Sequence, residues 1–158
     1  MSGITVKITG VDSLLKKLEA IATKANREYA DLNIETGRRI ETAAKRKAVV
    51  GVTGNMRAAI TTREYNGGMT VEVAAPMEYS SGVEEGTKPH WPQMDSLRQW
   101  VRLKMRVADK DVDRVTYLVA RKIAAYGTDP QPFLGPSWDE EKDNYVLRAR
   151  RILGGLGE

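Results

Sequence analysis

Apolar and polar residues alternate at the start of the chain, Ile4, Val6 and Ile8 with Thr5, Lys7 and Thr9, until Gly10 interrupts. A period of two sends successive side chains to opposite faces, so a short half-buried strand is expected here. From Asp12, a candidate N-cap, the period lengthens. Leu14, Leu18, Ile21, Ala25, Tyr29, Leu32, Thr36, Ile40 and Ala43 or Ala44 recur at helical spacing, which predicts one long amphipathic helix ending near residues 50–54. Gly37 is its weak point, because a glycine inside a helix costs about 1 kcal/mol relative to alanine. Residues 33–37 are therefore a candidate kink or break.

Residues 59–65 and 69–75 alternate again on either side of Asn66, Gly67 and Gly68, with Met69, Val71, Val73 and Ala75 on one face. That pattern predicts a β-hairpin. Residues 76–92, punctuated by Pro76, Gly82, Gly86, Pro89 and Pro92, read as a long irregular loop. A helical stripe then returns in Leu97, Trp100, Val101 and Met105. A second follows in Val115, Leu118, Val119, Ile123 and Tyr126, with Asp109 or Asp111 as cap and Gly127 just past the end. Residues 128–136 contain Pro130, Pro132 and Pro136 and form a stiff connector. Ser137-Trp138-Asp139-Glu140 reads as a capping box for a last helix, acidic at its start and carrying Arg148, Arg150 and Arg151 at its end.

Composition removes most chemistry. The 158 residues hold no Cys and one His, His90, which excludes thiol nucleophiles, disulfides, thiolate zinc sites and paired-His metal sites. A Ser-His-acid set could be drawn only from Ser80 or Ser81, His90 and Glu84 or Glu85, and no Gly-x-Ser-x-Gly elbow supports it. Glu78, Glu84 and Glu85 lack calcium-loop spacing, and no phosphate-binding glycine loop occurs. The reading is a non-enzyme with no cofactor, no metal site and no catalytic residue. The net charge of +4 is mild. Residues 98–122 concentrate eight Lys or Arg against three Asp, which suits weak, non-specific DNA contact and keeps a basic nucleic-acid-binding protein as the alternative function. No apolar run approaches the roughly 20 residues of a membrane span, and no signal peptide is recognised at the start, so the chain is expected to be made in a cytoplasm.

Three stretches carry a family resemblance. Val52-Thr53-Gly54-Asn55-Met56-Arg57-Ala58-Ala59-Ile60 is similar to an Asp-Thr-Gly-x-Leu-Arg-x-Ser-Ile signature. Glu78-Tyr79-Ser80-Ser81-Gly82-Val83-Glu84-Glu85-Gly86-Thr87 is similar to a Tyr-Ala-x-x-Val-Glu-x-Gly-Thr loop, and Pro130-Gln131-Pro132-Phe133-Leu134-Gly135-Pro136 to an Arg-Pro-Phe-Leu-x-Pro segment. In this order, after a Leu-Leu-Lys-Lys-Leu helix, they resemble the head-tail joining or tail-completion (neck, minor tail) proteins of tailed bacteriophages. Val52, Ala59 and Gln131 depart from the motif's Asp, Ser and Arg.

The resemblance implies a structural virion protein that completes the tail end and helps join it to the head, made in the bacterial host cytoplasm. Its partners would be other tail and neck proteins and further copies of itself in a ring, six-fold about the tail axis. The motif residues then become candidate assembly contacts: Thr53, Gly54, Arg57, Tyr79, Val83, Glu84, Gly86, Thr87, Pro132, Phe133 and Leu134. The expected architecture is α+β, a long N-terminal helix packed on a small antiparallel sheet, with an added helical pair at about 93–126 and a C-terminal helix. One domain over 1–158 is expected, its tail flexible from about 154.

Overall fold

The computed structural model describes residues 10–51 and 54–155. The strand expected at Ile4, Val6 and Ile8 lies outside them. The described residues form α1 (Val11–Lys47), α2 (Asn55–Ala59), β1 (Thr61–Tyr65), β2 (Thr70–Ala74), α3 (Ser80–Glu85), α4 (Met94–Lys104), α5 (Val112–Tyr126) and α6 (Gly135–Gly154). The α+β architecture with a long first helix and a helical C-terminus is the one expected.

Helix α1 is continuous for 37 residues. It starts after Gly10 without a side-chain cap, so Asp12 is not the N-cap but an acidic residue of the first turn, where it complements the dipole. Ion pairs one turn apart, Arg39–Glu35 and Lys45–Glu41, lie along its surface. No break occurs at residues 33–37, because two other elements fasten there. The Asn33 amide donates to the carbonyls of Gly68 and Met69, both at 3.1 Å, and its oxygen accepts from the Tyr145 hydroxyl of α6 at 3.0 Å. A Cβ on Gly37 would stand 2.5 Å from Val71 Cγ1 and 2.9 Å from Thr62 Cγ2. The glycine that weakens the helix is thus the position at which the hairpin crosses it.

Strands β1 and β2 pair antiparallel, Thr61 opposite Ala74 and Tyr65 opposite Thr70. The hairpin is shorter than expected: Ala59 ends α2, and Ile60 is fully buried before the sheet begins. Met69 is not covered with Val71 and Val73 but is nearly half exposed at the turn. Thr62 fixes the sheet to α1, its backbone N–H and its hydroxyl both donating to Glu41, at 2.8 and 2.7 Å. The ammonium of Lys45, then the Thr62 hydroxyl, hold the Glu41 carboxyl below its ordinary pKa.

Helix α6 runs antiparallel along α1. Lys47 pairs with Glu140 at 2.7 Å, Arg148 with Glu35 at 2.6 Å, and the Tyr29 hydroxyl reaches the Ala149 carbonyl at 3.2 Å. Glu35 takes hydrogen bonds from Arg148 and Arg39, which bring its pKa down to about 2. Since α6 ends at Gly154, about one and a half turns past the Ala149 that meets Tyr29, residues 11–24 of α1 project beyond it with every side chain exposed. Leu14, Leu18 and Ile21, expected to face a core, do not; Leu14 is 58% exposed and Leu18 52%.

Two further expectations are corrected. The interval 76–92 is not wholly irregular, for it contains α3, seated by the Ser80 hydroxyl donating to the Ala75 carbonyl at 2.7 Å. In the helical pair the expected stripes are covered only in part: Val101 is fully buried as expected, but α5 buries Val112, Thr116 and Ala120, which lay outside its expected stripe, while Tyr126 is 80% exposed and Trp100 and Leu118 are partly exposed. Small side chains at positions 116 and 120 allow the close approach that larger ones would block. The link between α4 and α5 includes Arg106 at φ 51 and a 3₁₀ turn at Asp109–Asp111, unlike the short turn of a DNA-reading helix pair.

Candidate assembly surface

The three motif stretches, far apart in sequence, meet around one core of Ala44, Ala48, Met56, Ile60, Ala75 and Phe133. Gly54, at φ 70, turns the chain into α2 and so drops Met56 into that core. Arg57 reaches back to the end of α1, donating through Nε to the Lys45 carbonyl and through Nη2 to that of Arg46 at 3.1 Å. A helix end leaves such carbonyls without partners, and a guanidinium fork satisfies two at once. Residues 52 and 53, and with them Thr53, lie outside the described chain.

From the second motif, Glu84 serves the third. Its Oε2 accepts from the Phe133 and Leu134 backbone N–H groups at 2.7 and 3.0 Å, and its Oε1 from that of Gly135 at 2.8 Å. Burial pushes the carboxyl pKa up, but the N–H groups of Phe133, Gly135 and Leu134 outweigh it and hold the group charged below its ordinary range. The expected capping box does not form. Ser137 is buried inside α6 and donates to the Phe133 carbonyl at 2.5 Å, while Glu140 is engaged by Lys47. The N-terminus of α6 takes its carboxylate from α3 instead.

Phe133, between exposed Pro132 and half-buried Leu134, is completely buried. The Gln131 N–H donates to the Val83 carbonyl at 2.8 Å, and Val83 packs on the same core. Thr87 pairs with Thr128 in an isolated antiparallel bridge whose two backbone hydrogen bonds are both 3.1 Å, with the two hydroxyls 2.9 Å apart. The preceding residues, Gly86 and Gly127, both have φ 75, and a Cβ on Gly86 would stand 2.5 Å from the Thr128 carbonyl oxygen. The segment 88–127, with α4 and α5, therefore leaves and re-enters the fold at one point.

Arg57, Glu84 and Phe133 thus spend their chemistry inside the fold. Tyr79, half exposed, together with Gly54 and Val83, faces an open groove of about 550 Å³ that also includes Val49, Met56, Met77, Trp100, Asp129 and Gln131. The sequence reading missed Val49, Met77, Trp100 and Asp129 as groove residues. Trp100 was legible only as an apolar position on a helix, and its side of that helix depends on tertiary phase.

Three of the side chains that a Ser-His-acid set could draw on have other partners. The Ser80 hydroxyl is bonded to Ala75, His90 Nδ1 lies 2.9 Å from the Lys88 carbonyl, and both Glu84 oxygens are occupied. No group of three His, Asp or Glu among the described residues could hold a metal ion, and no helix there is long and apolar enough to cross a membrane. The basic character of the helical pair is partly cancelled: Arg98 pairs with Asp113 and Asp95, and Arg102 with Asp109.

Comparisons with curated proteins and with solved structures return no match. A family model does match. Residues 12–86, from the first turn of α1 through both Arg57 and Glu84 to the glycine before the Thr87 bridge, match the HK97-gp10-like family, described as "Bacteriophage HK97-gp10, putative tail-component".

Proposed function

We propose that this protein is a structural component of a bacteriophage tail, that it completes the tail end and helps join it to the head, and that it acts as a ring through protein–protein contacts without catalysis. The observation that carries the reading is the family match over the first two motifs. The disposition of apolar surface supports it: among the described residues the motif residues close the fold, yet a groove and a helical stripe are left uncovered, as an assembly protein requires. On this reading the place of work is the virion, the partners are other tail and neck proteins, and the contacts are made by exposed motif residues such as Tyr79 and Pro132. Arg57, Glu84, Gly86, Thr87 and Phe133 act by shaping that surface, with Gly54, Val83 and Leu134 at its margin, and Thr53 is a contact on the motif resemblance alone.

The test is assembly of particles in the host without this protein. Filled heads and tails should then accumulate unjoined, and microscopy of complete particles should show the protein as a ring at the tail end. Joined, infectious particles lacking it would overturn the reading.

A further inference from the structure

Two helices, α1 and α6, lie side by side, but the sheet on them has only two strands among the described residues, and these pack on α1. The Thr62 N–H points away from β2, to Glu41, so Thr61, Arg63 and Tyr65 are the residues that exchange ladder hydrogen bonds with Ala74, Glu72 and Thr70. The N–H and C=O groups of Val71 and Val73 therefore point out of the far edge of β2, and no described residue takes them up. That edge is one wall of a second groove, of about 320 Å³, with a floor of Thr36, Gly37 and Ile40 and a far wall of Trp138 and Tyr145, two turns apart on α6. Trp138 is 44% exposed. An open strand edge facing an apolar helix wall is the geometry that accepts an added strand, whose backbone bonds to the edge while alternate side chains fill the wall.

We propose that residues 4–8 of a second copy add to β2 as this third strand. Their alternation calls for a sheet to pair with, and they match the five residues of β2 in length. Ile4, Val6 and Ile8 then continue the Val71 and Val73 face onto Trp138 and Tyr145, while Thr5 and Lys7 continue the exposed face of Thr70 and Glu72. The same copy cannot supply the strand. Gly37, on which Val71 packs, stands about 40 Å along α1 from Gly10, and the six residues from Gly10 back to Ile4 span at most about 22 Å. Residues 52 and 53 join Gly51 to Gly54, which line the groove around Trp100 instead, and residues 156–158 begin about 15 Å along α6 from Tyr145 and span at most about 11 Å. The contact is heterologous, so any open chain of copies keeps one strand and one edge unused and only a closed ring satisfies both. This rests on the ring reading above and names the surfaces that make the ring.

The experiment uses the purified full-length chain in three forms: wild type, the strand variant Val6→Asp, and the wall variant Trp138→Lys, with Trp138→Ala in its place if the lysine lowers the melting temperature. Sedimentation velocity up to about 1 mM reads association, in the range where weak contacts appear, and amide hydrogen exchange followed by NMR reads the edge itself. Wild type should associate with concentration. Its Val71 and Val73 amides should exchange at least about tenfold more slowly at about 1 mM than at about 10 μM, while Glu72, whose N–H is already bonded to β1, changes little. Each variant alone should associate more than about tenfold more weakly, the loss expected when an anchor is removed, and show no such slowing. An equimolar mixture of the two should form dimers and nothing larger, with the slowing confined to the Val6→Asp copy, because that copy keeps the intact edge and the other keeps the intact strand.

Val71 and Val73 amides already protected at about 10 μM would mean that the edge is covered within one copy, and a wild type or a mixture that stays monomeric would mean that no copy supplies the strand; each would overturn the proposal. So would slowing that appears only when another tail protein is added, since that partner would then be the occupant. Association that leaves Val71 and Val73 exchanging freely, or that survives both variants, sinks the strand contact and leaves the ring reading standing; particles without a ring sink the reading itself.

Discussion

Replacing Glu84 tests the central claim about the motif loop, that its acidic residue caps α6 across 49–51 positions of sequence. Glu84→Ala leaves three backbone N–H groups without their acceptor. That of Phe133 belongs to a buried residue and loses a charged partner in a place water reaches poorly, a loss of about 1–3 kcal/mol. The Leu134 and Gly135 groups sit at the more exposed helix start, where water can replace the carboxylate, and the lost cap and dipole interaction together cost about 1 kcal/mol. The sum is about 2–4 kcal/mol, or roughly 5–15 °C in melting temperature for a chain of this size. Glu84→Gln keeps an oxygen acceptor and should lose about half as much.

The pH dependence supplies the sharper reading. Because the folded carboxyl titrates below its ordinary 4.5, its contribution is fully present above that pH and fades as pH falls through the folded value. The gap in melting temperature between wild type and Glu84→Gln should be widest at neutral pH and close progressively below about pH 4.5. A Glu84→Ala melt within about 1 °C of wild type, or a gap that does not narrow in acid, would refute the capping argument.

Phe133→Ala should cost about 3–5 kcal/mol in urea denaturation, the range for a buried aromatic; an intact monomer with failed assembly would place the ring between subunits instead. Gly37→Ala should lower the urea midpoint by the equivalent of about 1–2 kcal/mol, because clash with Val71 and Thr62 exceeds the gain in helix propensity; stabilisation would mean the hairpin does not press on α1 there. Replacing residues 88–127 by Asn-Gly between Thr87 and Thr128 should leave a cooperative melt with the Phe133 core intact, since the bridge already has hairpin geometry; a non-cooperative transition would show that α4 and α5 hold the core. Duplex DNA should bind weakly, without sequence preference and with steep loss as salt rises; a specific site held at nanomolar affinity in physiological salt would favour the nucleic-acid alternative.

What the sequence disclosed depended on how far each signal reached. Gly54, Arg57, Pro132 and Pro136 announce themselves locally, through permitted φ, a fixed donor fork or a missing N–H, and the segments they punctuate were found in the right order. The Ser137–Glu140 pattern was equally local and misled, because the acceptor that α6 uses sits in α3 and no rule confined to neighbouring residues can see it. Periodicity located α1, α4 and α5, yet it cannot tell a stripe that meets the core from one that overhangs it. Leu14 and Ala25 obey the same spacing, and only the place where α6 stops leaves one exposed and the other buried. The groove was invisible for a related reason: its wall is drawn from four separate stretches, within 49–56, 77–83, 96–100 and 128–131, which no local rule joins.

The Thr87–Thr128 bridge also governs the order in which the chain can fold. Before it forms, bringing Glu84 to Phe133 closes a loop of 49 residues; once it has formed, the shortest covalent-plus-bridge path is about nine residues, a saving of about 1.5 kcal/mol in closure entropy. Helices α4 and α5 meet through nearby contacts and can condense first, as an early local event. Their pairing brings Thr87 and Thr128 together, and the bridge then acts as a short circuit that makes the distant cap, and the burial of Phe133 behind it, kinetically near. A segment that looks peripheral to the finished core is in this sense upstream of it.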